Sequence, residues 1–162
     1  MEKKLKIYLD TSVINFLFAD DAPEKKEVTI NFFENNLNDY DVYISSIVFD
    51  EIDNTRNEEK KLLLYQAIQD YKLLNFDIVN DNILEIANHY INEGIIPKNK
   101  FEDAVHIAFA TYYEFDILLS WNFKHLSNVN KQRLINSVNL NIGYTKQLLL
   151  LNPYEVVYEN ED

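Results

Sequence analysis

The chain has 162 residues, 47% of them hydrophobic and 26% charged, which is enough for one buried core and leaves little for a second. Its 27 acidic residues outnumber its 15 basic residues, and the net charge of -12 disfavours unaided binding to nucleic acids or anionic membranes. Because the sequence contains no cysteine, it excludes disulfides and thiolate zinc sites and is typical of a reducing compartment.

We expect one domain over residues 1–162, with a short polar segment from Tyr154 that continues as a tail from about residue 158. The apolar segment 7–9 is far shorter than the apolar region of a signal peptide, and no apolar run reaches the length that spans a bilayer. The sequence therefore predicts a cytoplasmic protein with no membrane partner.

Apolar spacing and end signals predict alternating strands and helices in the first half of the chain. The predicted elements are a strand at 6–9, a helix capped by Ser12, a helix from Pro23 to about Asn38, a strand at 41–44, a helix at 47–54 and a long helix reaching Tyr71. Ser45 or Ser46 can cap the helix at 47–54. Thr55 to Glu58 has the spacing of a capping box for the long helix.

The same alternation continues in the second half. The predicted elements are a strand or ordered loop at 76–79, a helix from Asn82 ended by Gly94, a helix with a capping box at 99–102, a strand at 116–120, a helix at about 131–138 and a strand at 147–151. The inner face of the helix after residue 100 is predicted to comprise Phe101, Ala104, Val105, Ala108 and Tyr112. Strands that alternate with helices favour an α/β fold with a mainly parallel central sheet between two helical layers, a three-layer α/β/α sandwich.

Two carboxylates lie where apolar residues would be expected. Asp10 follows the first strand directly, at the edge of a parallel sheet where ligands bind, although Asp is also a common helix cap in such a turn. Glu51 shares one helical face with Val48 and Ile52, so it interrupts an inward apolar stripe. A buried Glu51 needs a cation, strong hydrogen-bond donors or a structural salt bridge.

Two further polar residues adjoin apolar segments. Asp103 lies in the first turn of its helix and borders an apolar face, and Asn122 follows the apolar strand at 116–120. His106 lies three residues after Asp103, but without other zinc ligands we interpret it as a packed or hydrogen-bonded histidine rather than a metal ligand and leave it out of the site. We expect Trp121 and Phe123 to pack against the sheet rather than stack on bases.

Three acids at one edge of a sheet repel each other unless a cation joins them. Mg²⁺ or Mn²⁺ with oxygen ligands suits Asp10, Glu51 and Asp103, and the amide oxygen of Asn122 can add a neutral ligand. Such ions can activate water and stabilise a departing oxygen, which indicates phosphoryl-transfer chemistry without a covalent protein nucleophile.

Four segments resemble, in order, the successive motifs of PIN domains, with VapC-type toxin ribonucleases as the most similar subgroup. The segments are Tyr8-Leu-Asp-Thr-Ser-Val-Ile-Asn15, Ser45-Ser-Ile-Val-Phe-Asp-Glu51, Phe101-Glu-Asp-Ala-Val-His-Ile-Ala108 and Leu119-Ser-Trp-Asn-Phe123. The resemblance extends from Ile7 to about Val157, and four ordered motifs are far more specific than any one of them.

The resemblance implies a PIN-like three-layer fold and a Mg²⁺-dependent endoribonuclease that cleaves single-stranded RNA, often as a toxin held by an antitoxin. It implies catalytic roles for Asp10, Glu51, Asp103 and Asn122, of which the three acids bind metal. The fourth position is usually Asp, so Asn122 is a departure that can weaken a second metal site and the activity. The hydroxyls of two matched serines can support the ligands or a water, or can instead cap helices and turns; these are Ser12 and Ser120.

Two other functions compete with the nuclease. An aspartyl-nucleophile phosphatase would need a second Asp two residues after Asp10, where this sequence has Ser12. A catalytically weakened PIN-fold interaction module is the stronger rival because Asn122 and the acidic charge both disfavour an active nuclease.

Possible partners are RNA, an antitoxin and a second copy of the chain in a homodimer. Between residues 98 and 133 the bases slightly outnumber the acids, which can help RNA to bind; these bases are Lys98, Lys100, Lys124, Lys131 and Arg133. Lysines scattered over the solvated surface, with no role in RNA binding, would give the same small excess of bases over acids. The acidic body as a whole can attract a basic segment of a protein partner.

Overall fold

A computed structural model describes residues 3–76, 79–122, 124 and 126–157. Its strands are β1 (Lys6–Leu9), β2 (Asp41–Ser45), β3 (Leu74–Phe76), β4 (Ile117–Leu119) and β5 (Leu149–Leu151). They form one sheet in the order β3-β2-β1-β4-β5, and each neighbouring pair is parallel. The strand β1 therefore lies at the centre, hydrogen-bonded to β2 on one side and to β4 on the other.

Helices occupy the connections between the strands. They are α1 (Thr11–Asn15), α2 (Pro23–Asn31), α3 (Ser46–Asp53), α4 (Glu58–Asp70), α5 (Asp81–Asn92), α6 (Phe101–Tyr112) and α7 (Val129–Asn141). The helical path continues past α2 as a π-helical turn and a 3-10 turn through Asp39. No helix in the described ranges has the length and apolar character required to cross a bilayer.

The central strand β1 is buried on both faces. Tyr8 packs in one apolar cluster with residues of α5, α6 and α7, whereas Ile7 and Leu9 pack in a second cluster with residues of α1, α3 and α4. All three side chains are fully buried. Because successive strand residues point to opposite faces, the sheet must be covered on both sides. The predicted three-layer α/β/α fold is confirmed.

Two of the predicted helix caps are wrong by two residues. The cap of α1 is Asp10, whose Oδ1 accepts a hydrogen bond from the Ser12 amide at 3.1 Å, so Ser12 is not the cap. The cap of α4 is Asn57, not Thr55. In each case the carboxyl or amide oxygen of the residue just before the helix can reach amide groups that the first turn leaves unpaired.

The start of α6 also differs from the prediction. Residues 98–100 form a 3-10 turn, and Lys100 precedes the helix without any side-chain cap, so the predicted capping box does not form. Phe101 is 36% exposed and does not belong to the inner face. The predicted end of α5 is confirmed, since Gly94 has φ +75°, a conformation that glycine adopts without steric cost.

Two predictions near loops are corrected. The third strand is Leu74–Phe76 rather than 76–79, and it pairs with β2 as an edge strand; residues 77 and 78 lie outside the described residues. The segment from Tyr154 is not simply a polar tail, because Pro153–Glu155 forms a 3-10 turn and Val156 is buried. The tail expected from about residue 158 lies outside the described residues.

A buried polar network joins the three helices on the Tyr8 side of the sheet. The hydroxyl of Tyr90 on α5 bonds Asn139 Oδ1 on α7 at 2.6 Å and Thr111 Oγ1 on α6 at 3.0 Å. Asn139 Nδ2 donates to the same Thr111 oxygen at 3.1 Å. Every polar group in the network therefore has a partner inside the core, as buried polar groups require.

We predict that Asn139→Ala lowers the free energy of unfolding by about 1–3 kcal/mol, because it removes one buried hydrogen-bond partner from the Tyr90 hydroxyl and one from the Thr111 hydroxyl. Urea denaturation measures the change. The control is Asn141→Ala, which alters an exposed residue of the same helix and should have little effect. Equal destabilisation by the two variants would contradict this account of the network.

Candidate active site

The candidate site lies at the carboxyl ends of β1 and β4, where the strand order reverses. Along the sheet, β2 and β3 extend to one side of β1, and β4 and β5 extend to the other. Crevices at such switch points are the usual ligand sites of parallel sheets. Asp10 follows β1 and Ser120 follows β4, and Ser120 Oγ donates to Asp10 Oδ2 across the gap at 2.7 Å.

Asp10 is held by two serine hydroxyls. Its Oδ1 accepts from the Ser12 amide and from Ser12 Oγ at 2.5 Å, while Oδ2 accepts from Ser120. Ser12 Oγ in turn accepts from the Trp121 amide at 2.9 Å, and Ser120 Oγ accepts from the Asn122 amide at 2.9 Å. Asp10 is therefore both the cap of α1 and a 4% exposed carboxylate at the sheet edge.

Glu51 on α3 bonds to His106 on α6. His106 Nε2 donates to Glu51 Oε1 at 2.6 Å. The Glu51 side chain remains 27% exposed, whereas His106 is only 1% exposed. Glu51 therefore extends from the helix face formed by Val48 and Ile52, which are fully buried, towards the solvent edge of the site.

The other ring nitrogen of His106 continues a hydrogen-bonded series into the core. His106 Nδ1 lies 2.7 Å from the hydroxyl of Tyr8, which lies 2.7 Å from Ser45 Oγ. Ser45 Oγ also accepts from the Ile47 amide at 3.2 Å and thereby caps α3. We call Ser45, Tyr8, His106 and Glu51 the hydrogen-bond chain.

Asp103 and Asn122 face each other at the same edge. Asn122 Nδ2 donates to Asp103 Oδ2 at 3.2 Å, which links the first turn of α6 to the segment after β4. The amide of Asn122 thus offers a donor to Asp103, where a carboxylate at this position would offer only charge repulsion. We call Asp10, Glu51 and Asp103 the acid cluster.

Asp10, Glu51 and His106 shift one another's ionisation. Burial favours the neutral ring of His106, but the hydrogen bond and charge of Glu51, with the charges of Asp10 and Asp103, raise its pKa above the ordinary value. Burial opposes ionisation of Glu51, yet His106 outweighs it and the pKa of Glu51 is lowered. Burial raises the pKa of Asp10, despite the opposing effect of His106 and both serines.

The chemistry of these residues suits a hard divalent cation, because the site offers carboxylate and hydroxyl oxygens without sulfur ligands. The Thr11 hydroxyl is buried near Glu51 and lowers its pKa, but it makes no hydrogen bond of ordinary geometry within the described residues. In that part of the chain, no three Asp, Glu or His side chains converge closely enough to hold an ion together. The oxygen donors therefore fit Mg²⁺ with water completing its shell, and they do not form a preassembled cage of three direct ligands.

All six residues that the sequence singled out lie at this edge of the sheet. His106 is buried and hydrogen-bonded, as interpreted from the sequence. Sequence reasoning missed its link to the acids: it contacts Glu51, and the charges of all three acids raise its pKa. Its position three residues after Asp103 on one helix was the available signal, since that spacing puts both on one face. The roles of Tyr8 and Ser45 had no sequence signal of their own.

Two other predictions near the site have different outcomes. Trp121 is an anchor, as predicted: it is 4% exposed, and its Nε1 donates to Thr29 Oγ1 at 2.8 Å. Phe123, which was predicted to pack against the sheet, lies outside the described residues, as does His125. Of the basic residues considered for RNA, Lys131 donates to the Ile95 carbonyl and so contributes to the fold.

Comparison with known proteins supports the fold and the motifs. The solved structure of VapBC2 from Rickettsia felis bound to a DNA fragment from its promoter matches this chain with a TM-score of 0.54 and 16% identity, over 91% of this chain and 98% of that chain. This similarity shows a common fold. No curated protein sequence matches the chain significantly. Residues 7–131, which include the acid cluster and Asn122, match the PIN domain family, and the chain therefore belongs to that family, whose members are generally nucleases.

Proposed function

We propose that this protein is a Mg²⁺-dependent endoribonuclease that cleaves single-stranded RNA with a metal-activated water, and that it is the toxin of a toxin-antitoxin pair. The observation that carries the proposal is the placement of three carboxylates at the switch point of a PIN domain, with Glu51 bonded to His106, Asp10 to Ser120 and Asp103 to Asn122. Mn²⁺ can replace Mg²⁺, since both take oxygen ligands.

In this proposal Asp10, Glu51 and Asp103 hold the cation, directly or through water. The cation, when bound, would polarise a phosphodiester oxygen and lower the pKa of a water that attacks phosphorus. Asn122 completes the site as a neutral ligand or as the donor that orients Asp103. With Asn in this position, the proposed site carries less negative charge than one with a fourth carboxylate.

The remaining side chains orient these ligands. Ser12 and Ser120 hold both oxygens of Asp10, so its carboxylate cannot rotate freely. Such supporting hydrogen bonds fix the direction of the ligands and tune their affinity for metal. A phosphatase with Asp10 as its covalent nucleophile is disfavoured, because Ser12, which bonds to Asp10, occupies the position where such an enzyme needs a second Asp.

RNA binding needs local positive charge on a protein whose net charge is -12. Lys98 and Lys100 are exposed in the turn that leads into α6, five and three residues before Asp103. We propose that these lysines and the bound cation together offset the repulsion between the acidic protein and the phosphates.

The proposed toxin role is supported by the fold that this chain shares with a solved VapBC2 structure and by the negative net charge of the chain. An acidic surface is complementary to a basic segment, and an antitoxin carrying such a segment would associate faster and more selectively. We propose a cytoplasmic toxin, alone or as a homodimer, whose expression arrests growth unless an antitoxin is expressed with it. Growth arrest that persists in Asp10→Asn would contradict a nuclease origin of the toxicity.

A second function, a PIN-fold interaction module without catalysis, is favoured by one observation. Internal hydrogen bonds already engage each carboxylate of the acid cluster, and no three ligands converge among the described residues. In that case the site would bind a cation weakly and would not cleave RNA. The metal and Asn122 experiments below separate this module from a nuclease.

The first prediction of the proposal is metal dependence. Cleavage of single-stranded RNA should require Mg²⁺ or Mn²⁺ and stop in chelator, since the acid cluster needs a hard cation to engage phosphate. Zn²⁺ should not act as a tightly held structural ion, because the sequence has no cysteine. Asp10→Asn should lose activity by about a hundredfold or more, whereas the exposed control Asp21→Asn should retain it. Full activity in chelator would refute the proposal.

The second prediction concerns Asn122→Asp, which replaces the donor to Asp103 with a carboxylate. Without metal the variant should melt at a lower temperature, because two carboxylates then face each other. With saturating Mg²⁺ the gain in melting temperature should exceed that of the wild type, and cleavage should rise.

The matched control is Asn92→Asp, which adds the same charge at an exposed position at the end of α5 and should leave the Mg²⁺ gain unchanged. An unchanged gain in Asn122→Asp would mean that residue 122 does not face the cation. A larger gain without cleavage in either protein would favour the interaction module.

The third prediction concerns pH without metal. Because the folded pKa of His106 exceeds its ordinary value of 6.5, folding binds a proton at this residue. The stabilisation is fully present below pH 6.5 and is lost as pH rises through the folded pKa, with a slope of at most about 1.4 kcal/mol per pH unit for one proton. Asp10, whose pKa is also raised, contributes a slope of the same sign.

Urea denaturation at several pH values between 6 and 8, in chelator, measures this slope. His106→Gln should flatten it, whereas His89→Gln, on α5 beside Glu93 and Ile142, should leave the contribution of His106 in place. Stability that increases with pH over this range in the wild type would contradict the proposed charge balance.

A further inference from the structure

A buried hydrogen-bond chain leads from the core to the partly exposed carboxylate of Glu51. Its members come from four elements: Ser45 ends β2, Tyr8 lies in β1, His106 lies in α6 and Glu51 lies in α3. The successive distances are 2.7, 2.7 and 2.6 Å. Ser45, Tyr8 and His106 are at most 1% exposed, so the chain is shielded from water until it reaches Glu51.

The direction of the last hydrogen bond does not depend on the charge of His106. An ionised carboxylate only accepts, so Nε2 must carry the proton that binds Glu51 Oε1 in both the neutral and the protonated ring. In the neutral ring, Nδ1 then accepts from the Tyr8 hydroxyl, and in the protonated ring it donates to it. Tyr8 serves both cases because its hydroxyl can donate and accept.

The hydrogen-bond chain begins at the cap of α3 and ends on the same helix. Ser45 caps α3 by accepting from the Ile47 amide, and Glu51 projects from α3 one and a half turns later. The cap, the tyrosine and the histidine therefore tie the exposed end of Glu51 to the start of its own helix through β1 and α6. A glutamate side chain has three rotatable bonds, and this closed arrangement selects one orientation for its carboxylate.

We propose that His106, oriented by Tyr8, is the positioning residue that holds the Glu51 carboxylate towards Asp10 in the acid cluster. The proposal rests on the proposed function for its catalytic consequence, and its structural part can be tested without activity. His106 does not contact substrate or cation in this proposal; it acts through Glu51, much as ligands in metal sites are oriented by the groups that bond to them.

The network around Tyr90 offers an internal comparison. Tyr90 is as fully buried as Tyr8, and its hydroxyl also has two polar partners, Thr111 and Asn139. That network ends on buried neutral groups, whereas the hydrogen-bond chain ends on an exposed carboxylate of the acid cluster. Loss of either tyrosine hydroxyl should destabilise the fold, but only loss of the Tyr8 hydroxyl should affect metal binding and cleavage.

The test uses full-length variants, Mn²⁺ titration and single-strand RNA cleavage. His106→Leu removes the donor to Glu51, and we expect Mn²⁺ affinity to fall about 10- to 100-fold, with cleavage falling at least as much. His106→Gln restores an amide donor near the Nε2 position and should recover most of this loss. Tyr8→Phe should give an intermediate loss, and the matched Tyr90→Phe and His89→Gln variants should bind Mn²⁺ as the wild type does.

A double-mutant cycle tests whether His106 acts through Glu51. In the Glu51→Gln background, His106→Leu should cause no further loss of Mn²⁺ affinity, because the group it orients has already lost its charge. Losses that simply add would overturn the proposal, as would failure of His106→Gln to recover any Mn²⁺ affinity in a variant that melts near the wild-type temperature.

Nuclear magnetic resonance separates this proposal from the proposed function. In ¹⁵N-labelled protein, the His106 signals should report a protonated Nε2, Tyr8→Phe should shift the Nδ1 signal, and His106→Leu should shift the ¹³C signal of the Glu51 carboxyl. If these shifts occur while the wild type neither binds Mn²⁺ nor cleaves RNA, the positioning stands and the nuclease fails. If the Glu51 carboxyl signal does not respond to His106→Leu, the positioning fails whatever the activity.

Discussion

The burial of negative charge at the end of a parallel sheet is the constraint on which this site depends. The strands β1 and β4 are adjacent, and Asp10 follows one of them and Ser120 the other at the carboxyl edge of the sheet, where their side chains bond to each other. An ionised carboxylate loses its hydration there and must be compensated by donors or by positive charge. Ser12 and Ser120 bond to Asp10, Asn122 bonds to Asp103, and His106 bonds to Glu51.

These compensations connect the functional edge to the rest of the fold. The serine hydroxyls that bond to Asp10 also accept hydrogen bonds from backbone amides after β4. Ser45 both caps α3 and belongs to the hydrogen-bond chain. A local change at the edge therefore alters helix capping and strand ends together, because each polar group serves two partners. Buried networks of this kind are rigid when fully satisfied and costly when one member is lost.

The opposite pKa shifts within the acid cluster follow from unequal burial. Asp10 is almost completely enclosed, and burial raises its pKa, whereas Glu51 contacts both water and His106 and its pKa is lowered. His106 is the positive partner that the three acids favour. A divalent cation bound by the acid cluster would offset the negative charge that raises the pKa of His106. Binding of the cation and protonation of His106 should therefore oppose each other.

The sequence alone was sufficient to predict the layer order, the strand at 6–9 and the edge of the sheet where Asp10, Glu51, Asp103 and Asn122 meet, because these depend on local apolar patterns and on the way parallel strands align. It misplaced the caps of α1 and α4 and the strand β3, where short polar side chains compete for a few amides and weak edge pairing decides the register. It could not show which groups His106 contacts, because Tyr8 and Glu51 lie 98 and 55 residues away along the chain. Such contacts are determined only when α3, α6 and β1 pack together, and no local pattern encodes them.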